Sequence, residues 1–588
     1  MNRTSRKLVF LIAAAMGLCL SSCQLLPTLN TQSISGSSSQ SSIESSSQSV
    51  LEESTPDHIH VFNQMFTDPQ FLVTPENGGN PAIYHYSCVC GAMSAETFCP
   101  ETHSLNNLTI VEDGDDVKVE RYQPHYHDFR DNWVFVPSGV TVIGSWSITY
   151  STVHFVHLPD SLRTIESYAF EGCGVDSIEI PASVTSISSG VFSDCQNLIS
   201  IRIDPANPVY DSRGNCNAVI RTEGNELVAG CQSTTIPDSV VSIGQCAFTN
   251  CASLTSISIP DSVTSIGSYA FFGCHSLSSV TISDSVVSIE EYTFYDCESL
   301  DSIIIPRSVT SIVGNPFQGC TALSSIVVDP ANPVYDSRGN CNAIIRTAEN
   351  ELVITCKSTT IPDSVTSIGY AAFLGCCSFT SIAIPDSVVS IGEFAFQACR
   401  SLSSITIPDS VVSIGWGAFA QCESLASIAI PRSVTSIMGN PVWDCAALSS
   451  IAVDPANPVY DSRGNCNAII KTADNELVSG CQSTTIPDSI TSIGSHAFSG
   501  CYALASIAIP DSVVSIGERA FMDAYPLRAI EIPCSVTTIG NGAFSGIGSL
   551  TDVYFTGTVE QWNAIHIGDE NELLSQANIH FNSTMPQD

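Results

Sequence analysis

A 23-residue period constrains this chain more than any other feature. Pro237, Pro260, Ser283 and Pro306 stand 23 apart, and so do Cys251, Cys274, Cys297 and Cys320. The unit reads L-x-S-I-x-I-P-x-S-V-x-S-I-G-x-x-A-F-x-x-C-x-S. It recurs after Pro362, Pro385, Pro408 and Pro431, and again after Pro487, Pro510 and Pro533. Counting V-x-S-I-like segments from Val140 to Val536 gives fourteen coils. A unit this short buries too few side chains to offset the ordering of its own backbone, so it must stack on its neighbours. In residues 254–276, Ile257 and Ile259 share one face of a short strand, and Pro260 ends it. Asp261-Ser262 make a turn, Val263 and Ile266 begin a second extended piece, and Ala270, Phe271 and Cys274 turn inward. The expected fold is mainly β, a solenoid of parallel strands advancing about 4.8 Å per coil.

A longer period lies over the first. The stretch D-P-A-N-P-V-Y-D-S-R-G-N-C-N-A starts at Asp204, Asp329 and Asp454, 125 residues apart, so each block holds four coils and a 33-residue insertion. Within the insertion, two β-type runs flank a polar turn at Glu223-Gly224-Asn225, which predicts a hairpin. Simple pairing about that turn sets Cys216 opposite Cys231, Cys341 opposite Cys356 and Cys466 opposite Cys481, three candidate disulfides. Whether the insertions protrude or join the stack stays open at this point. The array is expected over residues 136–550, with a degenerate first coil at 136–160 and a cap and tail at 551–588. In the cap, Trp562, Ile565, Ile567, Leu573, Leu574, Ala577, Ile579 and Phe581 are expected to cover the last coil.

The first 135 residues are of another kind. Arg3, Arg6 and Lys7 precede an apolar run from Leu8 to Leu20, too short for a comfortable membrane span. Leu20-Ser21-Ser22-Cys23 resembles a bacterial lipobox, which makes 1–23 a signal peptide and Cys23 the lipidated residue. Residues 24–55 form a Ser-rich linker with eleven serines between 31 and 50. As a flexible coil it would hold a folded part roughly 30 Å from its anchor. Residues 56–135 carry six of the twelve histidines together with Cys88, Cys90 and Cys99. His58 or His60 with Cys88 and Cys90 makes a weak zinc candidate, because C-x-C with distant histidines lacks the paired C-x-x-C spacing. The other reading is a small β-rich module.

The repeated residues carry a resemblance. The unit I-P-D-S-V-T-S-I-G-S-Y-A-F-F-G-C-H-S-L resembles the BspA-like leucine-rich repeat, also described from a treponemal surface antigen. The insertion N-P-V-Y-D-S-R-G-N-C-N-A-I-I and the tail V-Y-F-T-G-T-V-E-Q-W-N are similar to segments of the same family. The resemblance covers about residues 136–582. It implies surface display, adhesion to host matrix proteins or other bacteria, and no catalytic motif.

Composition and motifs narrow the function further. A net charge of −38 disfavours nucleic acid as a partner. H-E-x-x-H, G-x-S-x-G and phosphate-cradling loops are missing from the sequence. Within residues 160–560 only His275 and His496 occur, each at a position that varies between coils. No cofactor is expected. The recurring cysteines (Cys173, Cys195, Cys251, Cys274, Cys297, Cys320, Cys376, Cys399, Cys422, Cys445 and Cys501) read as small buried corner residues, since a 23-residue spacing is not a zinc spacing. Asp204, Asp211 and Asn215 with their copies offer oxygens, but their spacing matches no calcium loop and turn formation explains them. The outward column Ser256, Ser279, Ser302, Ser325, Ser381, Ser404, Ser427, Ser450 and Ser506 forms a smooth strip. It serves equally as a binding face or as a plain solvent face. The expected function is a lipid-anchored adhesin or interaction protein on the outer face of a bacterial envelope, with a protein or glycan ligand on host or bacterial surfaces. The alternatives are an envelope protein that captures glycan or peptide, and a zinc-dependent activity in residues 56–135.

Overall fold

The computed structural model of the chain describes residues 72–74, 83–87, 93–98, 108–114, 116–122 and 133–585. Strands Leu72–Thr74, Ile83–Ser87 and Met93–Phe98 form a three-stranded antiparallel sheet. From residue 108 onward the chain is a β-solenoid, and the whole fold has about 20 turns.

Each coil contributes two strands to two parallel ladders. In the first, Ser256–Ser258 pairs with Ser279–Thr281, and Ser302–Ile305 with Ser325–Val328. In the second, Ser242–Ile243, Ser265–Ile266, Ser288–Ile289 and Ser311–Ile312 follow one another in register. Alternation decides what is buried: Ile257 and Ile259 point inward while Ser256 and Ser258 face solvent. The Pro-Asp-Ser turn closes with Val263 N donating to Pro260 O at 3.0 Å. Its serine also ties coils together, as Ser410 Oγ donates to Val388 O at 2.7 Å and Ser512 Oγ to Ile490 O at 2.6 Å. At the corner the phenylalanines stack into a spine. Phe248, Phe271, Phe294 and Phe317 follow at centroid spacings of 5.0, 5.3 and 5.6 Å, with planes within 7° of parallel.

The 33-residue insertions join the stack, held by a few side chains of their common loop. Asn207 Nδ2 donates to Pro181 O and Val184 O, clamping the turn of the coil before it, while its Oδ1 accepts from Val209 N and Tyr210 N. The Tyr210 hydroxyl then accepts from Ile187 N at 2.9 Å, so a side chain takes the bond that the next strand would have made. Tyr335 and Tyr460 do the same for Ile312 and Ile437. The ladder therefore stops at each tyrosine. A hairpin, Ala218–Arg221 with Glu226–Gly230, restarts it by running parallel to Ser242–Ile243. Arg213 braces the loop, bidentate to Asp211 and bonded to Asn225 at 2.8 Å.

Each hairpin is a wall with both faces buried. Val219, Val228 and Cys231 pack into the core that runs back to Leu108, whereas Cys216, Ala218, Ile220 and Leu227 pack into the next core. The solenoid thus holds four successive cores.

The array begins earlier than its repeat signature. Asp116–Tyr122 pairs in parallel with Val142–Ile143, and Trp133–Phe135 pairs with Phe155–His157. The strands Leu108–Asp113, Asp116–Tyr122 and Trp133–Phe135, which the sequence groups with the N-terminal module, belong to the first block. At the far end, Trp562, Ile565 and Leu574 close the last core, with Ala577, Ile579 and Phe581 packed partly against it. Ile567, expected among them, is exposed because its strand lies at the sheet edge.

Candidate functional site

The corner between the short strand and the Phe spine is where the chain turns most sharply. The residue three places after the ladder isoleucine adopts left-handed backbone geometry in most coils: Trp146, Tyr168, Tyr269, Tyr292, Phe394 and His496 all have φ between 56° and 60° or within two degrees of it. Glycine enters this region freely, whereas bulky residues pay about 1–2 kcal/mol. Glycine does occupy the same place at Gly190 and Gly417. Large aromatics therefore stand where a cheaper residue fits, and strain of this kind collects at functional sites.

Stacked coils merge these corners into a ridge. Trp146 stacks on Tyr168 at 4.4 Å, and Tyr269 on Tyr292 at 5.1 Å. In the block that starts at Asp329, Phe394 is flanked by Tyr370 and Trp416, each two places after its ladder isoleucine, at 5.9 and 4.8 Å, and Trp416 meets Trp443 at 5.9 Å and His496 at 5.8 Å. The rings lie along the solenoid axis over the next coil. A Cβ on Gly439 would come within 2.8 Å of Trp416, and one on Gly417 within 3.0 Å of Phe394. Several rings are well exposed: Tyr150 by 69%, Tyr370 by 59% and Trp146 by 51%.

The three blocks related by 125 residues act as an internal comparison. Their loops from Asp204, Asp329 and Asp454 are identical over fifteen residues, and the spine keeps Phe248, Phe373 and Phe498. Ridge positions differ among the blocks, as do the strand column at Ser258, Ala383 and Ala508 and the hairpin at Gly230, Thr355 and Gly480. Gln245, Tyr370 and Ser495 are equivalent; so are Cys246, Ala371 and His496; so are Glu291, Trp416 and Asn541. The serine column changes less: Ser256, Ser381 and Ser506 are equivalent and exposed, while Ser279 and Ser404 correspond to Ala529, and Ser302 and Ser427 to Asp552. The ridge thus changes in size and chemistry from block to block, while the loops stay the same and the serine column changes less.

Burial sets the charge state of ridge groups. It pushes the Asp296 carboxyl up to about 6. It lowers the His496 imidazole to about 4, with Arg519 adding to the effect, so this ring is neutral at pH 7. Elsewhere an open hollow of about 560 Å³ lies between Ser450–Val453 and the loop at Asp461–Asn467. Its charged lining residues, Asp461 and Arg463, are bonded to each other.

The other candidates fare differently. Cys23, His58, His60, Cys88 and Cys90 lie outside the described residues. The hairpin cysteines do not face each other: all six are free thiols. A bulge between Val219 and Ile220 shifts the register by one, so Ala218 pairs with Gly230 and the Cys231 thiol reaches Asn217 O at 3.4 Å. A one-residue shift sends the two side chains to opposite faces. Cys216 and Cys231 then enter different cores, as do Cys341 and Cys356, and Cys466 and Cys481. The corner cysteines are free, and most donate to a phenylalanine carbonyl of the preceding coil, as Cys274 does to Phe248 O at 3.2 Å. Burial pushes the thiols of Cys251 and Cys422 up to about 12, so neither is a thiolate at neutral pH. Among the described residues no group of three or more metal-binding side chains forms. Asp204 Oδ1 accepts from Ala206 N, and Asp211 is taken by Arg213.

The ridge itself is not singled out by periodicity, which treats varying positions as noise. The signal was present in the differences between blocks.

The family model described as "BspA type Leucine rich repeat region" matches residues 126–213, 227–336, 352–461 and 475–581. Among solved structures, the chain is similar to a leucine-rich cell surface protein from Faecalibacterium prausnitzii A2-165. The identity is 25%, covering 78% of this chain and 97% of that one, with a TM-score of 0.31. It is also similar to the pneumococcal vaccine antigen PcpA, at 15% identity over 82% and 98% of the two chains, with a TM-score of 0.37. A leucine-rich-repeat protein from Bacteroides ovatus ATCC 8483 aligns at 24% identity over 81% and 98%, with a TM-score of 0.28. No curated protein matches.

Proposed function

Because the chain belongs to the BspA-type leucine-rich-repeat family, we propose that it is a cell-surface binding protein whose corner ridge, rather than its serine strip, engages the partner. The observation that carries this reading is the row of stacked aromatic rings at the coil corners, several of them well exposed, whose identities change from block to block. The partner is a protein or glycan on host or bacterial surfaces. The net charge of −38 disfavours polyanions and favours neutral or basic ligands.

The proposed location is the outer face of the envelope, with the chain anchored through lipid on Cys23. Arg3, Arg6, Lys7, the short apolar run and the Leu20–Cys23 lipobox support it. Among the described residues no helix is long and apolar enough to cross a membrane. Labelling of expressing cells with radioactive palmitate is expected to mark the wild type and not Cys23→Ser.

The binding role is tested with the full chain against matrix proteins, mucins and bacterial surfaces, comparing wild type with Trp146→Ala, Tyr269→Ala and Trp416→Ala. Saturable binding reduced by at least one ridge substitution, and left alone by Ser279→Ala and Ser404→Ala, supports the ridge. Binding reduced only by the serine substitutions overturns it.

A further inference from the structure

The ridge differs along its length, and the stretch between the third and fourth cores has a composition of its own. There Tyr370, Phe394, Trp416, Trp443 and His496 come from five successive coils. The row crosses the joint between blocks, where Asn440 Nδ2 donates to His496 O at 2.7 Å. Beside it runs a chain of uncharged amides ending in a carboxylate. Gln397 Nε2 donates to Gln421 Oε1 and Gln421 Nε2 to Asp444 Oδ2, each at 3.3 Å. No lysine or arginine belongs to either row, and the imidazole is neutral at pH 7.

Packing alone does not account for this composition. Trp443 Nε1 and His496 Nδ1 are shielded from solvent and have no hydrogen-bond partner. Leaving a buried donor or acceptor unmet destabilises the fold, a cost that phenylalanine at either place would avoid. The equivalent places in the preceding block hold Gln318 and Ala371 in the following coil, so the fold does not require these rings. Aromatic rings spaced by one coil, flanked by amide and carboxylate groups, match a ligand with apolar ring faces and a rim of hydroxyls. The coil step is close to the length of one pyranose in an extended β-linked chain, so successive sugars meet successive coils.

We propose that the ridge from Tyr370 to His496 binds a neutral, extended glycan. Its pyranose faces lie against the aromatic side chains, and its hydroxyls bond to Gln397, Gln421 and Asp444. This rests on the ridge being the binding face and names the ligand class for one part of it.

The test uses the full chain and intrinsic tryptophan fluorescence with calorimetry. The probes are hexasaccharides of β-1,4-linked glucose and of β-1,4-linked N-acetylglucosamine, a heparin hexasaccharide, and a proline- and tyrosine-rich peptide. Saturable binding of a neutral hexasaccharide is expected, with trisaccharides weaker and heparin not bound. Trp416→Ala and Gln421→Ala are each expected to weaken it about tenfold or more, which is about 1.4 kcal/mol. Ser404→Ala, on the serine strip, should leave it unchanged. Gln421→Ala is the safeguard against misfolding, since its side chain is only partly buried. Failure of both neutral sugars to bind overturns the inference, and so does binding as tight as wild type by the Gln421→Ala and Trp416→Ala variants. Preference for the peptide, lost on Trp416→Ala, overturns the glycan and leaves the ridge standing as a binding face. Loss of cell or matrix binding only on serine-strip substitution sinks both.

Discussion

The hairpin of Leu108–Asp113 and Asp116–Tyr122 and the hairpin of Ala218–Arg221 and Glu226–Gly230 share a topology and a one-residue bulge. They also share a place: Val119 sits beside Ile143 as Leu227 sits beside Ile243, and Tyr122 N donates to Ser147 O as Gly230 N does to Ala247 O. Their outward faces differ. Thr109, Glu120 and Arg121 are exposed in the first; Val219, Val228 and Ala229, their equivalents, are buried in the second. One device therefore does two jobs. With polar residues outside it ends an array, and with apolar residues outside it joins two cores. The difference shows that the insertion is an internal version of the end cap, and that a handful of side chains decide whether the stack stops.

The largest effect should come from giving the internal hairpin the outer face of the terminal one. Val228→Glu with Ala229→Arg places two charges between cores, at a cost of about 4–6 kcal/mol. Urea unfolding should then split into two transitions, with protease cleavage near residue 215; a single transition at the wild-type midpoint would break the comparison. Next comes Gly230→Ala. A Cβ there would lie 2.1 Å from Phe248 Cε1, and overpacking should cost about 2–3 kcal/mol. Thr355 stands at that place in the next hairpin and bonds to Ala372 O, so Thr355→Gly is expected to cost less, about 1 kcal/mol. Denaturant midpoints decide between them.

The joints also differ in their response to acid. His496 lies at the third joint where Cys246 and Ala371 lie at the others. Its folded-state value of about 4 is below the ordinary 6.5. The unfolded chain therefore takes up the proton first. Stability is full above pH 6.5 and is lost as pH falls toward 4. Hydrogen exchange between pH 7 and 4 should show the third joint loosening before the other two, and His496→Gln should remove that lead. A smaller effect is expected from Arg213→Ala, which frees Asp211 and Asn225 in a partly exposed brace: about 1 kcal/mol, read from the midpoint. Smallest in stability is Glu120→Val with Arg121→Ala, within about 0.5 kcal/mol because both are exposed. It should still make the chain self-associate with concentration in sedimentation, by turning an end into a joint.

Much of this architecture is legible in the sequence because the physics repeats. Alternation at Ile257 and Ile259, the Pro260 turn and the Phe271 corner each follow from local rules, and stacking follows from how short the coil is. The hairpin register was not legible. Nothing in Cys216 to Cys231 announces a bulge, and counting outward from the turn puts the thiols on the same side when they lie on opposite ones. The true start of the array was hidden because Leu108–Tyr122 forms its cap without the Pro-Asp-Ser signature. The ridge was hidden for another reason. Trp416, Trp443 and His496 are far apart in the chain, and only coil stacking across a joint between blocks brings their rings together.

The tyrosine that ends each ladder has a genetic consequence. Because Tyr210, Tyr335 and Tyr460 each finish one block before the next hairpin begins, unequal crossing-over between the identical loop sequences would add or delete 125 residues in one step. Such an event cuts through no core and leaves both termini of the array intact. Length, and with it the number of ridge segments available to diversify, is then a heritable variable that a population can change without first redesigning the protein.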